Sequence, residues 1–208
     1  MAIKRRLSMF KSFKKYFSFI TGIVFVHIIC FAVLNPALAK DKSIYKQTHY
    51  VELFSDGYAI HTSESTYVNT SKEPVKTHSF INSQDTIDKV LDEKGNELPL
   101  EVSHKESYYQ YTAKLIKPAQ PGEEYILKYA GKKIKKAQKQ GDKWIYDRSH
   151  MPIPETDYTE TVKLPSGAKL ISVKPKPTKK FEENGSLVLV FKKHLQENEA
   201  FKCRIEYK

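Results

Sequence analysis

Phe201, Cys203, Ile205 and Tyr207 alternate with Lys202, Arg204, Glu206 and Lys208. That period of two is what a half-buried β-strand requires, because successive side chains leave the backbone on opposite faces. Upstream, residues 187–191 form an unbroken apolar run of strand length, and residues 158–164 and 170–173 flank a turn at Pro165, Ser166 and Gly167. No stretch beyond residue 40 repeats apolar residues at i, i+3, i+4 and i+7, so no amphipathic helix competes. The pattern predicts an all-β chain that ends in a small antiparallel meander.

The same reading extends back along the chain. Residues 48–54 and 58–69 carry alternating patterns joined by Ser55, Asp56 and Gly57, the turn chemistry of a hairpin. Residues 75–81, 87–91, 98–102, 108–116 and 123–129 read as further strands, with turns at 92–95 and 118–122. A basic stretch of low apolar content at 132–141 precedes Trp144, Ile145 and Tyr146, and then Pro152 and Pro154. The expected organisation is an N-terminal β-sandwich over 40–130, a basic linker with a possible strand over 131–155, and a C-terminal meander over 156–208 packed on the first unit. An internal echo supports two related units: residues 115–129 resemble 191–207, each a strand, a polar turn containing acids, and a strand closing on tyrosine.

Residues 1–39 have the form of an export signal. Lys4, Arg5, Arg6, Lys11, Lys14 and Lys15 make a basic start, residues 17–34 are almost wholly apolar, and Ala37, Leu38 and Ala39 follow Pro36. Cleavage is expected after Ala39; the alternative is an uncleaved N-terminal anchor. Ile28 and Ile29 stand where a lipidated Cys30 would need a small residue, and Arg5-Arg6 lacks the rest of a twin-arginine motif, which favours a general secretory route. The signal holds six of the 35 basic residues and none of the 24 acidic ones, so without it the formal charge falls from +11 to +5. That mild surplus suits work near anionic lipid or wall polymer and lacks the clustered charge of a nucleic-acid binder. Cys203 is then the one cysteine left, which excludes an intrachain disulfide framework.

Candidate chemistry is sparse. His49, His61, His78, His104, His150 and His194 lack the HExxH or HxH spacing of a metal site, although His49 and His61 lie on neighbouring predicted strands and can approach one another. Cys203 shares the apolar parity of its strand, where a thiol acts as a small core residue. Glu123 with Glu124, Glu182 with Glu183, and Glu197 with Glu199 fall in predicted turns flanked by lysines, where solvation explains them. Tyr108, Tyr109 and Tyr111 offer an aromatic strip, better explained by cross-strand packing. No phosphate loop, nucleophile elbow or dinucleotide fingerprint is present, so neither cofactor nor metal is expected. The lysines Lys132, Lys133, Lys135, Lys136 and Lys139 are the candidate binding residues, for contact with a polyanion, against a plain reading as a solvated hairpin.

Residues 158–168 with Ser172 to Pro177 and Glu183, Asn184 and Gly185 resemble the immunoglobulin-like sandwich modules that precede transglutaminase-like domains in exported bacterial proteins. Asp56-Gly57, Asn69 to Ser71, and Pro121-Gly122 before a strand ending at Tyr129 are similar to the N-terminal β-sandwich of membrane-bound aminopeptidase relatives. In such families the catalytic residues lie in a following domain, and this chain stops where that domain is expected to begin. The resemblance implies one or two packed immunoglobulin-like antiparallel sandwiches after a signal segment, acting as an exported non-catalytic binding or structural module at the cell envelope. Expected partners are anionic lipid, wall polymer or another envelope protein, and not nucleic acid. The alternative is a secreted hydrolase acting on envelope polymer through dispersed carboxylates and histidines.

Overall fold

A computed structural model describes residues 42–151 and 155–208, with backbone alone for 42–45. The expected signal segment and the two prolines at 152 and 154 lie outside the described residues. Strand β1 (Lys42–Leu53) and strand β2 (Tyr58–Asn69) form the hairpin read from the sequence. Gly57 makes its turn possible: its φ of 81° is a left-handed conformation that L side chains rarely adopt, and a Cβ there would collide with the Trp144 ring. The turn is held by Gly57 N–H donating to the Phe54 carbonyl at 3.0 Å and Tyr58 N–H donating to Asp56 Oδ1 at 3.1 Å.

Around this hairpin grows a long sheet. On one side β2 pairs with β7 (Glu124–Gly131), which pairs with β4 (Ile87–Leu91); the short β8 (Ile134–Lys135) also joins β2. On the other side β1 pairs with β11 (Thr156–Lys163), then β14 (Ser186–Leu195) and β13 (Lys179–Glu183). The β1–β11 pair is parallel and joins segments more than a hundred residues apart, setting His49 opposite Glu160 and Val51 opposite Val162. Two smaller antiparallel sheets complete the fold: β12 (Leu170–Lys174), β15 (Phe201–Tyr207), β10 (Lys143–His150) and β9 (Ala137–Gln140) in one, and β3 (Val75–Asn82), β6 (Tyr109–Ala119) and β5 (Leu100–His104) in the other. The described residues are thus all-β, as the alternation predicts. The stretch 131–155 contains β8, β9 and β10, with Trp144 to Tyr146 inside β10. The strands of 156–208 are divided between the long sheet and the four-stranded one.

One face of the long sheet carries both cores. Val51, Leu53 and Ala59 pack with Tyr158, Val162, Leu189 and Phe191 against Tyr146, Phe201, Cys203, Ile205 and Tyr207 of the four-stranded sheet. Tyr67, Leu127, Tyr129 and Val90 pack against Val75, Ala113, Leu115 and Ala119, beneath the three-stranded sheet. Ala59 and Tyr67 share parity on β2, so a single strand runs from the first core to the second along one face. Complete burial of side chains this size contributes about 1.5–3 kcal/mol each. In the second core Tyr67 and Tyr129 satisfy their hydroxyls on each other at 2.8 Å. At the end of β2 the buried Asn69 amide donates to the Glu73 and Ala119 carbonyls at 2.9 and 2.8 Å, tying β2 to the segment entering β3 and to the end of β6.

The internal echo has a structural counterpart. Between β6 and β7, Glu123 N–H donates to the Gln120 carbonyl at 2.9 Å while Glu123 Oε2 accepts from Gln120 N–H at 2.8 Å and Oε1 from Lys117 at 2.9 Å. Between β14 and β15, Glu199 makes the same three bonds with Gln196 and Lys193, at 2.9, 3.1 and 2.6 Å. Gly122 and Asn198, with φ of 76° and 61°, occupy the left-handed position of their respective turns. Each turn carries the chain from one sheet to another: β6 to β7 from the three-stranded to the long sheet, β14 to β15 from the long to the four-stranded sheet. The repeated Lys-x-x-Gln-x-x-Glu pattern is therefore a corner device used twice.

Candidate functional site

Between Ala59 in one core and Tyr67 in the other, β2 presents His61, Ser63 and Ser65 on the same face, and β1 presents Gln47 and His49 beside them. A gap between the two small sheets opens over this strip, whose deepest members, Gln47, His49 and Ser65, are buried. The result is a cleft of about 580 Å³, walled by the end of β3 on one side and by Lys136 and β10 on the other. That volume lies within the roughly 300–1,000 Å³ common for small-molecule sites.

Alternation on β10 explains what reaches the cleft. Tyr146 belongs to the apolar core, and the next two residues of the same parity are Arg148 and His150. On β11 the inward series Thr156, Tyr158, Glu160, Val162 places one acid among buried neighbours, and Glu160 is fully buried. Arg148 Nε lies 3.6 Å from Glu160 Oε1, and the Tyr158 hydroxyl donates to Glu160 Oε2. His49 Nδ1 lies 2.8 Å from His61 Nε2 and 3.4 Å from Arg148 Nη2, and His150 Nε2–H donates to Gln47 Oε1 at 2.8 Å. Gln47 passes the chain on to Ser65 Oγ at 3.3 Å. His49 packs its ring on His61, His150 and Tyr158 at centroid distances of 4.9, 4.7 and 5.1 Å.

Burial dominates the electrostatics. It lowers His49 well below the ordinary imidazole range, with His61, His150 and Arg148 adding repulsion. His61 is lowered to about 3 and His150 to about 4, again by burial first and by Arg148 next. Burial raises the Glu160 carboxyl, and Arg148 opposes that rise. Burial, the largest single influence, would lower Arg148, but Glu160, Tyr158 and Tyr146 together outweigh it and hold the guanidinium charged. At neutral pH the cleft therefore holds three uncharged imidazoles beside one internal ion pair.

Gln47, His49, Arg148 and Glu160 were not singled out together by sequence, although His49 and His61 were placed on neighbouring strands. A legible signal existed in Glu160, an acid at the inward parity of an otherwise apolar strand. The other histidines lie elsewhere: His78 contacts Tyr125 Oη at 3.0 Å, His104 packs on Tyr109 at 4.5 Å, and the exposed His194 pairs with Asp157 and Glu155 at 2.7 and 2.6 Å. Cys203 is buried in the first core and its thiol is pushed up to about 12, chiefly by burial, which suits packing and not nucleophilic attack. Among the described residues no three His, Cys, Asp or Glu side chains are grouped to hold a metal ion. The His49–His61 separation of 2.8 Å is a hydrogen bond, shorter than the about 3.3 Å that two zinc-bound nitrogens at about 2.0–2.1 Å would keep.

The candidate lysines are dispersed in their engagements. Lys132 pairs with Asp85 at 2.7 Å; Lys133 pairs with Asp56 at 3.2 Å and lies over the Phe54 ring at 4.5 Å. Lys139 lies over the Trp144 ring at 5.7 Å, Lys135 is exposed on β8, and Lys136 lines the cleft.

No protein-family model and no curated protein matches the chain. Solved structures do. An M1 zinc metallopeptidase from Deinococcus radiodurans superposes with a TM-score of 0.56 at 14% identity, over 82% of this chain and 44% of that one. A mutant of that enzyme bound to a Tyr-Ser-Ala substrate gives 0.55 at 14%, and a two-domain M1 zinc metallopeptidase mutant bound to L-arginine gives 0.55 at 12%, each with the same coverage. At these identities the likeness establishes a shared fold, and the chain spans less than half of the length of the structures it matches. It agrees with the aminopeptidase side of the resemblance read in the sequence.

Proposed function

We propose that the chain is an exported, non-catalytic β module of the cell envelope, equivalent to the β portion of a zinc peptidase chain. The observation that supports this reading is the extent of the match: most of this chain superposes on less than half of a zinc metallopeptidase chain. Such a module would pack against or orient a partner of the envelope, a wall polymer or an anionic lipid surface, with Lys132, Lys133, Lys135, Lys136 and Lys139 as its polyanion contacts. A lysine close to an anionic surface contributes about 1 kcal/mol. Co-sedimentation of the purified protein with isolated cell wall and with phosphatidylglycerol vesicles tests this. The expected result is binding that falls steeply with salt and is lost in a Lys133→Glu, Lys135→Glu, Lys139→Glu variant; salt-independent binding, or none to either, would count against it.

The second reading, a secreted hydrolase, is favoured by the convergence of His49, His61 and His150 in a concave cleft. Their chemistry opposes it. Imidazoles lowered to about 3 and about 4 are weak general bases at neutral pH, and the hydrogen-bond partners of these three rings are amide, imidazole and guanidinium groups. Hydrolysis of wall polymer by the purified protein, abolished in His61→Asn, would restore that reading.

A further inference from the structure

Lys132, Lys136 and Arg148 line the cleft against a single carboxylate, Asp147, which pairs with Arg204 at 3.2 Å. Arg148 brings five N–H groups, yet its Nε makes no hydrogen bond, and its contact with His49 Nδ1 is long at 3.4 Å. Glu160 Oε2 accepts from Tyr158 and Gln47 Oε1 from His150, while Glu160 Oε1, 3.6 Å from Arg148 Nε, makes no hydrogen bond. His49 and His61 share one hydrogen bond, so if His61 Nε2–H donates to His49 Nδ1, the proton of His49 sits on Nε2, which is buried without a partner. A buried donor left unpaired costs about 1–3 kcal/mol.

Charge points the same way. Lys132 at the rim is neutralised by Asp85, and Arg148 faces Glu160. Lys136 lines the same cleft, and among the described residues no carboxylate lies within ion-pair distance of it. Partial burial and Arg148 lower its ammonium, the condition of a cation short of a counter-charge. Lys136 also acts electrostatically on His61, so the rim cation and the imidazole floor belong to one site.

We propose that this cleft binds a small organic oxyanion, its carboxylate or phosphate group held between Lys136 and Arg148, and its polar body lying along Ser63 and Asn82. The bound oxygens would supply the counter-charge that Lys136 lacks, and a charge-assisted contact of this kind is about twice as strong as a neutral hydrogen bond. The site stands apart from the lysine-run contact proposed above, because it needs Lys136 alone of those five residues and a ligand that fits inside the cleft.

Inorganic phosphate and citrate serve as probes, titrated into the purified full chain by calorimetry and thermal melting with sodium chloride at matched ionic strength as the control. Saturable one-to-one binding is expected for at least one probe; phosphate alone would mark a phosphoryl ligand, citrate alone a carboxylate, and both a general oxyanion site. Lys136→Met, a rim change that leaves the cores untouched, is expected to weaken binding at least tenfold without moving the melting temperature of the anion-free protein. Lys139→Met, in the same basic run but outside the cleft, is expected to leave it unchanged. The proposal is overturned if neither probe does more than matched chloride, or if Lys136→Met and Lys139→Met weaken binding equally, which would mean diffuse attraction to the basic run.

Discussion

Acidification should destabilise this protein far above the pH at which most carboxylates titrate. In the unfolded chain His61 and His150 take up protons near the ordinary value of about 6.5; in the folded state they do so at about 3 and about 4. A depressed histidine contributes stability that is present above its unfolded value and lost as pH falls toward its folded one. At pH 4.5 both imidazoles are still mostly neutral when folded and almost fully charged when unfolded. At about 1.4 kcal/mol per pH unit for each, the pair loses about 5 kcal/mol between pH 7.5 and 4.5. His49, lowered further still, adds to the loss in the same direction. The groups facing these rings are Arg148 and Lys136, which repel the imidazolium forms, Tyr158, whose ring packs on His49 and His150 at 5.1 Å, and Glu160, opposite His49 across the β1–β11 pair. Glu160 and His194 act oppositely, because a group whose folded value is raised gains stability as pH falls. Urea denaturation at pH 7.5, 6.5, 5.5 and 4.5 measures the balance. A loss of several kcal/mol that begins near pH 6.5, and that shrinks by about 5 kcal/mol in His61→Asn/His150→Asn, is expected. Constant stability down to pH 5, or an unchanged slope in the double variant, would refute the reasoning.

Other outcomes follow from named contacts. Arg148→Met leaves Glu160 fully buried without its counter-charge and should cost about 3–5 kcal/mol in urea denaturation, while Arg148→Met/Glu160→Met should recover most of that loss. Asn69→Ala removes two amide-to-carbonyl bonds in a buried corner and should cost about 2–3 kcal/mol, with faster proteolysis around residues 69–75 as a second readout. Cys203, 5% exposed and pushed up to about 12, should resist thiol labelling at pH 8 in the native protein and react fully in denaturant; fast native labelling would contradict its place in the core.

The elements were legible in the sequence because local physics sets them. Alternation at 201–207 and 58–69 and the glycine turn at Gly57 need only neighbouring residues, and β15, β2 and the turn from β1 into β2 lie where these signals put them. The doubled corner was visible too, since a glutamate three residues beyond a glutamine, bonding back to its backbone, is a local device. The pairing of β1 with β11 is a different matter. Nothing in the period of either strand specifies a parallel partner more than a hundred residues away, yet that pairing sets Glu160 beside His49. The cleft likewise arises from a gap between two small sheets over one long strand, so Arg148 and His150 meet His49 and His61 only through tertiary packing. Periodicity reports which face a residue takes and is silent on what waits across from it.

The central claim is that His49, His61 and His150 share a buried cationic cleft in which their imidazoles stay neutral. Nuclear magnetic resonance titration of the ring nitrogens tests it directly: those three should remain neutral from pH 7.5 down to 5, while the exposed His194, held up by Asp157 and Glu155, titrates above the ordinary value. Histidines that all titrate together near pH 6.5 would contradict the account.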